Sequence, residues 1–215
     1  ESTLIYAVQN KLGNKSLIRC SVEGRVAVLE EASAYHSISQ PCVSSKGHIA
    51  FIGSSTQTSE RIVTLVNGTA GRVESRSTNE RVLPADLAPM KPVSWTTNVG
   101  GDHMEIYANY FPPTSRRFES GGKPPAIIMM HGGPTAQKNA SYEAKNQYFA
   151  TRGFAVLDVN YRGSTGYGRN YQDSLYGNWG IYDVNDAVTG AQYLIDNDLA
   201  DPDRVVIMGG SAGGY

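Results

Sequence analysis

Apolar residues in the first 89 positions come in short runs, each broken by a polar turn. Residues 4–8, 16–22 and 25–29 follow one another closely, with turns at 10–14 and at Glu23-Gly24. A second set covers 47–53 and 61–66 and closes on Asn67-Gly68. Runs rich in β-branched residues and bounded by Gly and Asn predict strands. No apolar repeat of helical period shows before position 90. Strands this short do not bury a core as one flat sheet, so they need stacked partners. A sandwich and propeller blades both meet that need.

Pro84, Pro89 and Pro92 mark a joint, because proline fixes φ and cannot feed a sheet ladder. Beyond it, 93–97 and 104–111 predict two strands around a Gly100-Gly101-Asp102 turn. The rhythm then changes. Residues 125–130 are continuously apolar after Pro125, as in a strand covered on both faces. A helix is expected over 141–152, with Ala144 and Tyr148 stacked at i, i+4 and Gly153 at its end. A second buried strand follows over 154–159. The clearest helix spans 183–197, where Val184, Ala187, Val188, Ala191, Leu194 and Ile195 form one stripe and Asp183 is the expected N-cap. Asp201-Pro202-Asp203 turns the chain into a third strand over 204–208. Strands alternating with crossover helices predict an α/β fold on a mainly parallel sheet.

Composition narrows the function classes. The chain has 215 residues, 40% hydrophobic and 18% charged, the balance of an ordinary soluble globular protein. A formal net charge of -1 argues against general affinity for nucleic acid or an anionic membrane surface. The runs 126–130 and 205–208 are far too short to span a bilayer. The first residue is Glu1 and no leader follows it, so the expectation is a chain that begins after processing or within a longer, cytoplasmic protein. Cys20 and Cys42 set neither a disulfide framework nor a metal site. Two free thiols, or one bridge between neighbouring strands, are the readings open to them. No motif asks for a metal or an organic cofactor.

The candidate chemistry sits where the third strand ends, in Gly209-Gly210-Ser211-Ala212-Gly213-Gly214-Tyr215. Gly209, Ser211 and Gly213 make G-x-S-x-G, the nucleophile-elbow spacing. A serine on a sharp strand-to-helix turn takes a strained backbone, and its neighbours two before and two after must be small for the turn to close. Ser211 is the candidate nucleophile, and Ser211 and Ala212 are expected at a helix N-terminus, whose free N–H groups favour negative charge. The second element is His131-Gly132-Gly133-Pro134, directly after the apolar strand. A loop there donates a backbone N–H to an oxyanion hole, so Gly133 and Ala212 are the candidate donors. His131 precedes the nucleophile, whereas this arrangement supplies Ser, then Asp or Glu, then His in chain order. With Gly132, it is read as support for the loop rather than as the base.

These motifs combine with the segment from Asn160 to Gly168 (Asn-Tyr-Arg-Gly-Ser-Thr-Gly-Tyr-Gly), and with Trp179-Gly180, Asp183-Val184 and Asp186. Together they resemble the prolyl oligopeptidase family of serine peptidases, in its acylaminoacyl-peptidase-like branch (dipeptidyl aminopeptidase/acylaminoacyl peptidase). Order and separations match throughout 93–215. The resemblance implies an α/β hydrolase domain over 89–215, its N-terminal half up to the elbow. Residues 1–88 would be the last two blades of a β-propeller, at about 45 residues per blade. It implies hydrolysis of short peptides through an acyl-enzyme on Ser211, with Gly133 and Ala212 as oxyanion donors. Other branches have Tyr where this chain has His131, which sets it apart from the dipeptidyl-peptidase and prolyl-oligopeptidase branches proper. The triad Asp and His would lie beyond residue 215, so the isolated chain is expected to be inactive, with an unpaired sheet edge and a bare apolar face. The loop 162–168 reads as substrate-facing or as a Gly-rich loop held by Arg162. Trp179 reads as a packing anchor. A serine carboxylesterase and a non-catalytic scaffold that binds a partner are the competing readings, since the same elbow serves ester cleavage. A homo-oligomer is compatible with either.

Overall fold

The computed structural model describes residues 4–66, 69, 71–79, 82–99, 101, 103–117, 119 and 121–215. The expected turn at Asn67-Gly68, and positions 100 and 102 of the next, lie outside them. The chain divides into two units: Glu1–Val82 with Asn139–Tyr142, and Leu83–Lys138 with Glu143–Tyr215.

The first unit contains two antiparallel sheets. One has the order β1-β2-β3, from Leu4–Lys11, Asn14–Ser21 and Val26–Val28; the other is a meander β4-β5-β6-β7, from Ser37–Val43, Ile49–Ser55, Thr58–Leu65 and Arg72–Arg76. Leu17, Ala32, Ile38, Ile49, Phe51, Val63 and Leu65 form one core drawn from both. β4 and β7 were not legible in the sequence. β4 contains Pro41, which a ladder accepts only at an edge or a bulge. Here the register shifts between Ser39 and Cys42, and Gln40 takes φ 50°. β7 reads Arg-Val-Glu-Ser-Arg and pairs only with β6, so it has little apolar pattern to show. Cys20 and Cys42 are both free thiols.

In the second unit, Pro84–Asp86 forms a short 3-10 turn and five strands make one sheet. The strands are β8 (Lys91–Thr97), β9 (Met104–Phe111), β10 (Ala126–Met130), β11 (Ala155–Asn160) and β12 (Val205–Gly209), in the order β12-β10-β11-β9-β8. β12, β10 and β11 are parallel, while β9 and β8 join antiparallel. The sheet is therefore mixed, because the two strands before the apolar run form a hairpin on its edge. Ile127 and Met129 pack with Phe111, Val156 and Ala150 on one face. Ile128 and Met130 pack with Leu157, Val159, Ala187 and Leu194 on the other. The period-2 pleat thus sends alternate residues of one apolar run into two cores.

Helices cover these faces unequally. α1 is Ala144–Ala150, shorter than expected, and its buried residues are Asn146, Gln147 and Ala150 rather than the stripe through Tyr148. Gln147 Nε2 donates to Ala88 O at 3.0 Å, and Ala88 N–H returns a bond to Gln147 Oε1 at 2.7 Å. α2 (Arg169–Asp173), which the sequence reading did not find, precedes α3 (Tyr182–Asp196). Asp183 lies inside the first turn of α3, accepting from Val184 N–H at 2.9 Å; Ile181 occupies the N-cap. Gly190 lets α3 approach the sheet, since a Cβ there would stand 3.1 Å from both Leu157 and Trp95. Trp95 Nε1 donates to Thr189 Oγ1 at 2.9 Å. Trp179 is half-exposed and does not act as a packing anchor. Val184 and Val188 of the expected stripe face outward; with Val206 and Ile207 of edge strand β12 they line an apolar hollow.

One buried ion pair ties the end of β11 to α3. Arg162 and Asp186 have no exposed side-chain surface, and Arg162 Nη2 lies 2.7 Å from Asp186 Oδ1. Arg162 Nε donates to the same carboxylate at 3.0 and 3.1 Å, and Arg162 N–H adds a bond at 2.8 Å. The guanidinium also donates to Val99 O at 3.2 Å and sits 3.8 Å from the Tyr182 ring centroid. Removing one partner leaves the other charge buried and unpaired. Arg162→Met is expected to lower stability by about 3–5 kcal/mol, with Arg162→Met/Asp186→Leu regaining most of that loss. Urea midpoints of the two variants check this, and equal losses would refute the pairing argument.

Candidate active site

Parallel pairing of β10 with β12 aligns Met130 with Gly209, so the two strands deliver their following loops side by side. From Gly209 the chain passes through Gly210, extended at φ -144° and ψ 150°, into Ser211 at φ 55°. Ser211–Gly214 forms a 3-10 turn at the place where the sequence puts Ser211 and Ala212 at a helix N-terminus. The glycine spacing has a steric reason. A Cβ on Gly209 would stand 1.7 Å from Gly213 O, and one on Gly213 would stand 2.4 Å from Met130 O and 2.7 Å from His131 O. Backbone packs on backbone there, and no side chain fits.

The loop after β10 meets this turn closely. A Cβ on Gly132 would stand 2.7 Å from Gly210 O and 3.0 Å from Ser211 Cβ. Gly133 takes φ 52°, and the space a side chain would occupy there is open. The structure therefore brings Gly132, Gly209, Ser211 and Gly213 together, with Gly133 and Ala212 next to them in sequence. Ser211 is exposed and Ala212 half-buried.

His131 is buried, with both ring nitrogens engaged. Nδ1 lies 3.1 Å from Gly132 O and Nε2 lies 2.8 Å from Ser164 Oγ. Its ring stacks on Tyr161 at 4.5 Å, and the Tyr161 hydroxyl donates to His131 O at 2.8 Å. Burial pushes the imidazole below its usual pKa, with Lys138 acting in the same direction and the bond to Gly132 opposing both. The neutral ring is favoured near pH 7. Burial first, and the charge of Asp183 second, push the Tyr161 hydroxyl up to about 12, so it stays a donor.

The other end of the loop is held at Lys138. Its N–H donates to Asn160 Oδ1 at 2.7 Å, and its carbonyl accepts from Asn160 Nδ2 at 3.0 Å and Asn109 Nδ2 at 3.2 Å. Its ammonium lies 3.4 Å from Glu143 and 4.0 Å from Asp158. Asp158 is 1% exposed; Oδ2 accepts from Asn146 Nδ2 at 2.7 Å, while Oδ1 has no partner. Burial pushes this carboxyl up to about 6, against the attraction of Lys138 and the Asn146 bond. The sequence reading missed this group. Its signal was a lone charge inside the apolar run 154–159, which a buried strand carries only with partners. Among the described residues no cluster of His, Cys, Asp and Glu could hold a metal ion.

Three comparisons bear on this arrangement. Residues 140–215 match the prolyl oligopeptidase family model. The chain is similar to dipeptidyl aminopeptidase BIII of Pseudoxanthomonas mexicana, 34% identical over 132 residues, 59% of this chain and 19% of that protein. It is similar to the acylamino-acid-releasing enzyme of Arabidopsis thaliana, 37% identical over 102 residues, 47% of this chain and 13% of that protein. A puromycin-hydrolyzing peptidase of Mycobacterium tuberculosis superposes with TM-score 0.87 at 31% identity, over 98% of this chain and 32% of that one. The chain thus spans less than a third of the proteins it matches.

Asp158 generates a signed pH dependence. Its pKa is higher folded than the ordinary 3.8, so the folded state holds the proton more tightly. Its contribution therefore favours folding at low pH and is lost as pH rises from near 4 through about 6, by about 3 kcal/mol in all. Asp158→Asn should gain on the parent across that window, with the difference level above pH 7. Denaturant titrations at several pH values between 4 and 8 test it. A pH-independent difference would show that Asp158 does not titrate there.

Proposed function

We propose, from the match of residues 140–215 to the prolyl oligopeptidase family model, that this chain carries the nucleophile and oxyanion loop of a serine peptidase acting on short peptides. One observation carries the reading: Ser211 sits at φ 55° in a turn closed by backbone contact through Gly209 and Gly213, with Gly132 packed against it. A non-glycine residue held in the left-handed region costs on the order of 1–3 kcal/mol, and such positions cluster at functional sites. The comparison proteins named above are peptidases, an aminopeptidase and an acylamino-acid-releasing enzyme, which favours amide over ester cleavage.

In this reading Ser211 Oγ attacks the scissile carbonyl as a general base takes its proton; the C–N bond then breaks, the amine leaves with that proton, and water hydrolyses the acyl-enzyme. The backbone N–H groups of Gly133 and Ala212 take the negative charge that develops on the carbonyl oxygen. Each such donor is worth roughly 3–4 kcal/mol in the transition state. The open flank of Gly133 leaves room for an acyl group beside its N–H. His131 is a loop support in this scheme, because both its ring nitrogens are engaged. The general base and its orienting carboxylate come from residues outside 1–215. The second unit is the nucleophile-bearing part of an α/β hydrolase, and the antiparallel sheets of the first are propeller blades. The four-stranded meander β4 to β7 has the strand order a blade requires. Among the described residues no helix is long and apolar enough to cross a membrane.

Treating the full-length protein with a fluorophosphonate should give one adduct, on Ser211, mapped by peptide mass spectrometry. Ser211→Ala should lose that adduct and roughly 10⁴-fold or more in kcat on an N-acyl or free-amine aminoacyl p-nitroanilide. Folded protein without an adduct would instead favour a non-catalytic scaffold.

A further inference from the structure

The segment 160–165 holds the loop 131–138 at both ends and in the middle. At the near end, Tyr161 OH donates to His131 O at 2.8 Å, its ring stacks on the imidazole, and Ser164 Oγ lies 2.8 Å from His131 Nε2. In the middle, Thr165 N–H donates to Ala136 O at 2.9 Å, and Ala136 N–H donates to Gly133 O at 2.6 Å. At the far end, the Asn160 amide makes a reciprocal pair with the Lys138 backbone, at 2.7 and 3.0 Å. The loop has no helix or strand of its own, so these bonds are what define its path.

The holding segment is itself fixed. Asn160, Arg162 and Ser164 are fully buried, and Tyr161 nearly so. Asn160 Nδ2 donates also to Tyr167 OH at 2.8 Å, and Asn160 O accepts from Tyr171 OH at 2.6 Å. Ser164 Oγ lies 2.6 Å from Tyr161 O. Arg162 is anchored on Asp186, and Gly163 takes φ 103° against Leu175. A segment this rigid, touching the loop at His131, Ala136 and Lys138, sets where Gly132 and Gly133 lie relative to Ser211.

We propose that Asn160, Tyr161 and Ser164 are positioning residues for the reaction, acting through the loop 131–138 to keep the Gly133 N–H aimed at the developing oxyanion. This rests on the peptidase reading above and extends it: a segment that could merely fill space is given a part in transition-state stabilisation. The three side chains touch the loop rather than the reacting atoms. Their removal should therefore act on kcat through misplacement of the oxyanion donor, where a shift near 1 Å can cost about 100-fold.

The test uses the full-length protein with p-nitrophenyl butyrate as the acyl donor and a fluorophosphonate for the labelling rate of Ser211. Tyr161→Phe removes one hydroxyl and keeps the stack; Ser164→Ala removes the bond to His131; Asn160→Ala removes the far grip. The first two should lower kcat by roughly tenfold with KM within about twofold, and slow labelling in parallel. Asn160→Ala should cost more, about 100-fold. Leu194→Val, in the core of α3, serves as a control that lowers stability without touching the loop and should keep both rates. Hydrogen exchange over 131–138 should rise in the three loop variants and stay at the parental level in the control. If Ser211 labels in the parent and Tyr161→Phe and Ser164→Ala keep parental kcat, the positioning role is overturned while the peptidase reading stands. A drop in kcat equally large in Leu194→Val reduces the effect to stability and overturns it too. A parent that does not label on Ser211 removes the peptidase reading, and the positioning role with it.

Discussion

The placement of everything near the candidate site depends on a guanidinium and a carboxylate that have no exposed surface. Two charges taken out of water cost several kcal/mol each, and their attraction offsets that only when geometry is good and the remaining donors are used. Here Asp186 accepts from the guanidinium and from the Arg162 backbone N–H. It therefore fixes the direction of the chain where it leaves β11, as well as a side chain. An apolar pair of equal volume could fill the same space and leave that direction free. With Arg162 held, Tyr161 on one side and Ser164 on the other have no latitude in where they reach His131.

A second constraint is steric and belongs to the backbone. Parallel neighbours lie about 4.8 Å apart, so loops leaving β10 and β12 at one level must cross within van der Waals contact. Gly132 and Gly213 are the places where they do, and Gly209 is where the turn after β12 packs on itself; a methyl group at any of the three would stand 2.7 Å or less from a carbonyl oxygen. The positive φ of Ser211 is sustained by this contact on both sides. The turn can remain strained because the surroundings leave it no relaxed alternative.

Legibility in the sequence followed the range of the interactions. The apolar runs at 126–130 and 205–208 and the stripe on α3 are local patterns, and they announced their elements. The elbow was legible because its glycines answer to one another over four residues. α1 was misread because its buried face carries Asn146 and Gln147, whose partners at Asp158 and Ala88 lie 12 and 59 residues away. β4 hid behind Pro41, which a bulge accommodates. The likeness of 160–168 to known relatives was visible, while its grip on His131 and Lys138 links positions 22 to 33 residues apart. Spacing along the chain has nothing to say about pairs of that kind.

The two ends of the loop differ in chemistry, and that decides which end feels pH. At His131 the contacts are a stack and hydrogen bonds to neutral groups, and burial favours the uncharged ring. At Lys138 the side chain lies near two carboxylates, one of which, Asp158, is buried with an unpartnered oxygen and a pKa of about 6. Acidification from pH 7 to 5 protonates Asp158 and removes part of the charge that attracts Lys138. The backbone of Lys138 stays pinned by Asn160 and Asn109, which carry no charge to lose. The amide pair thus insulates the loop's path from the titration beside it, which is a reason for an asparagine rather than an aspartate to end β11.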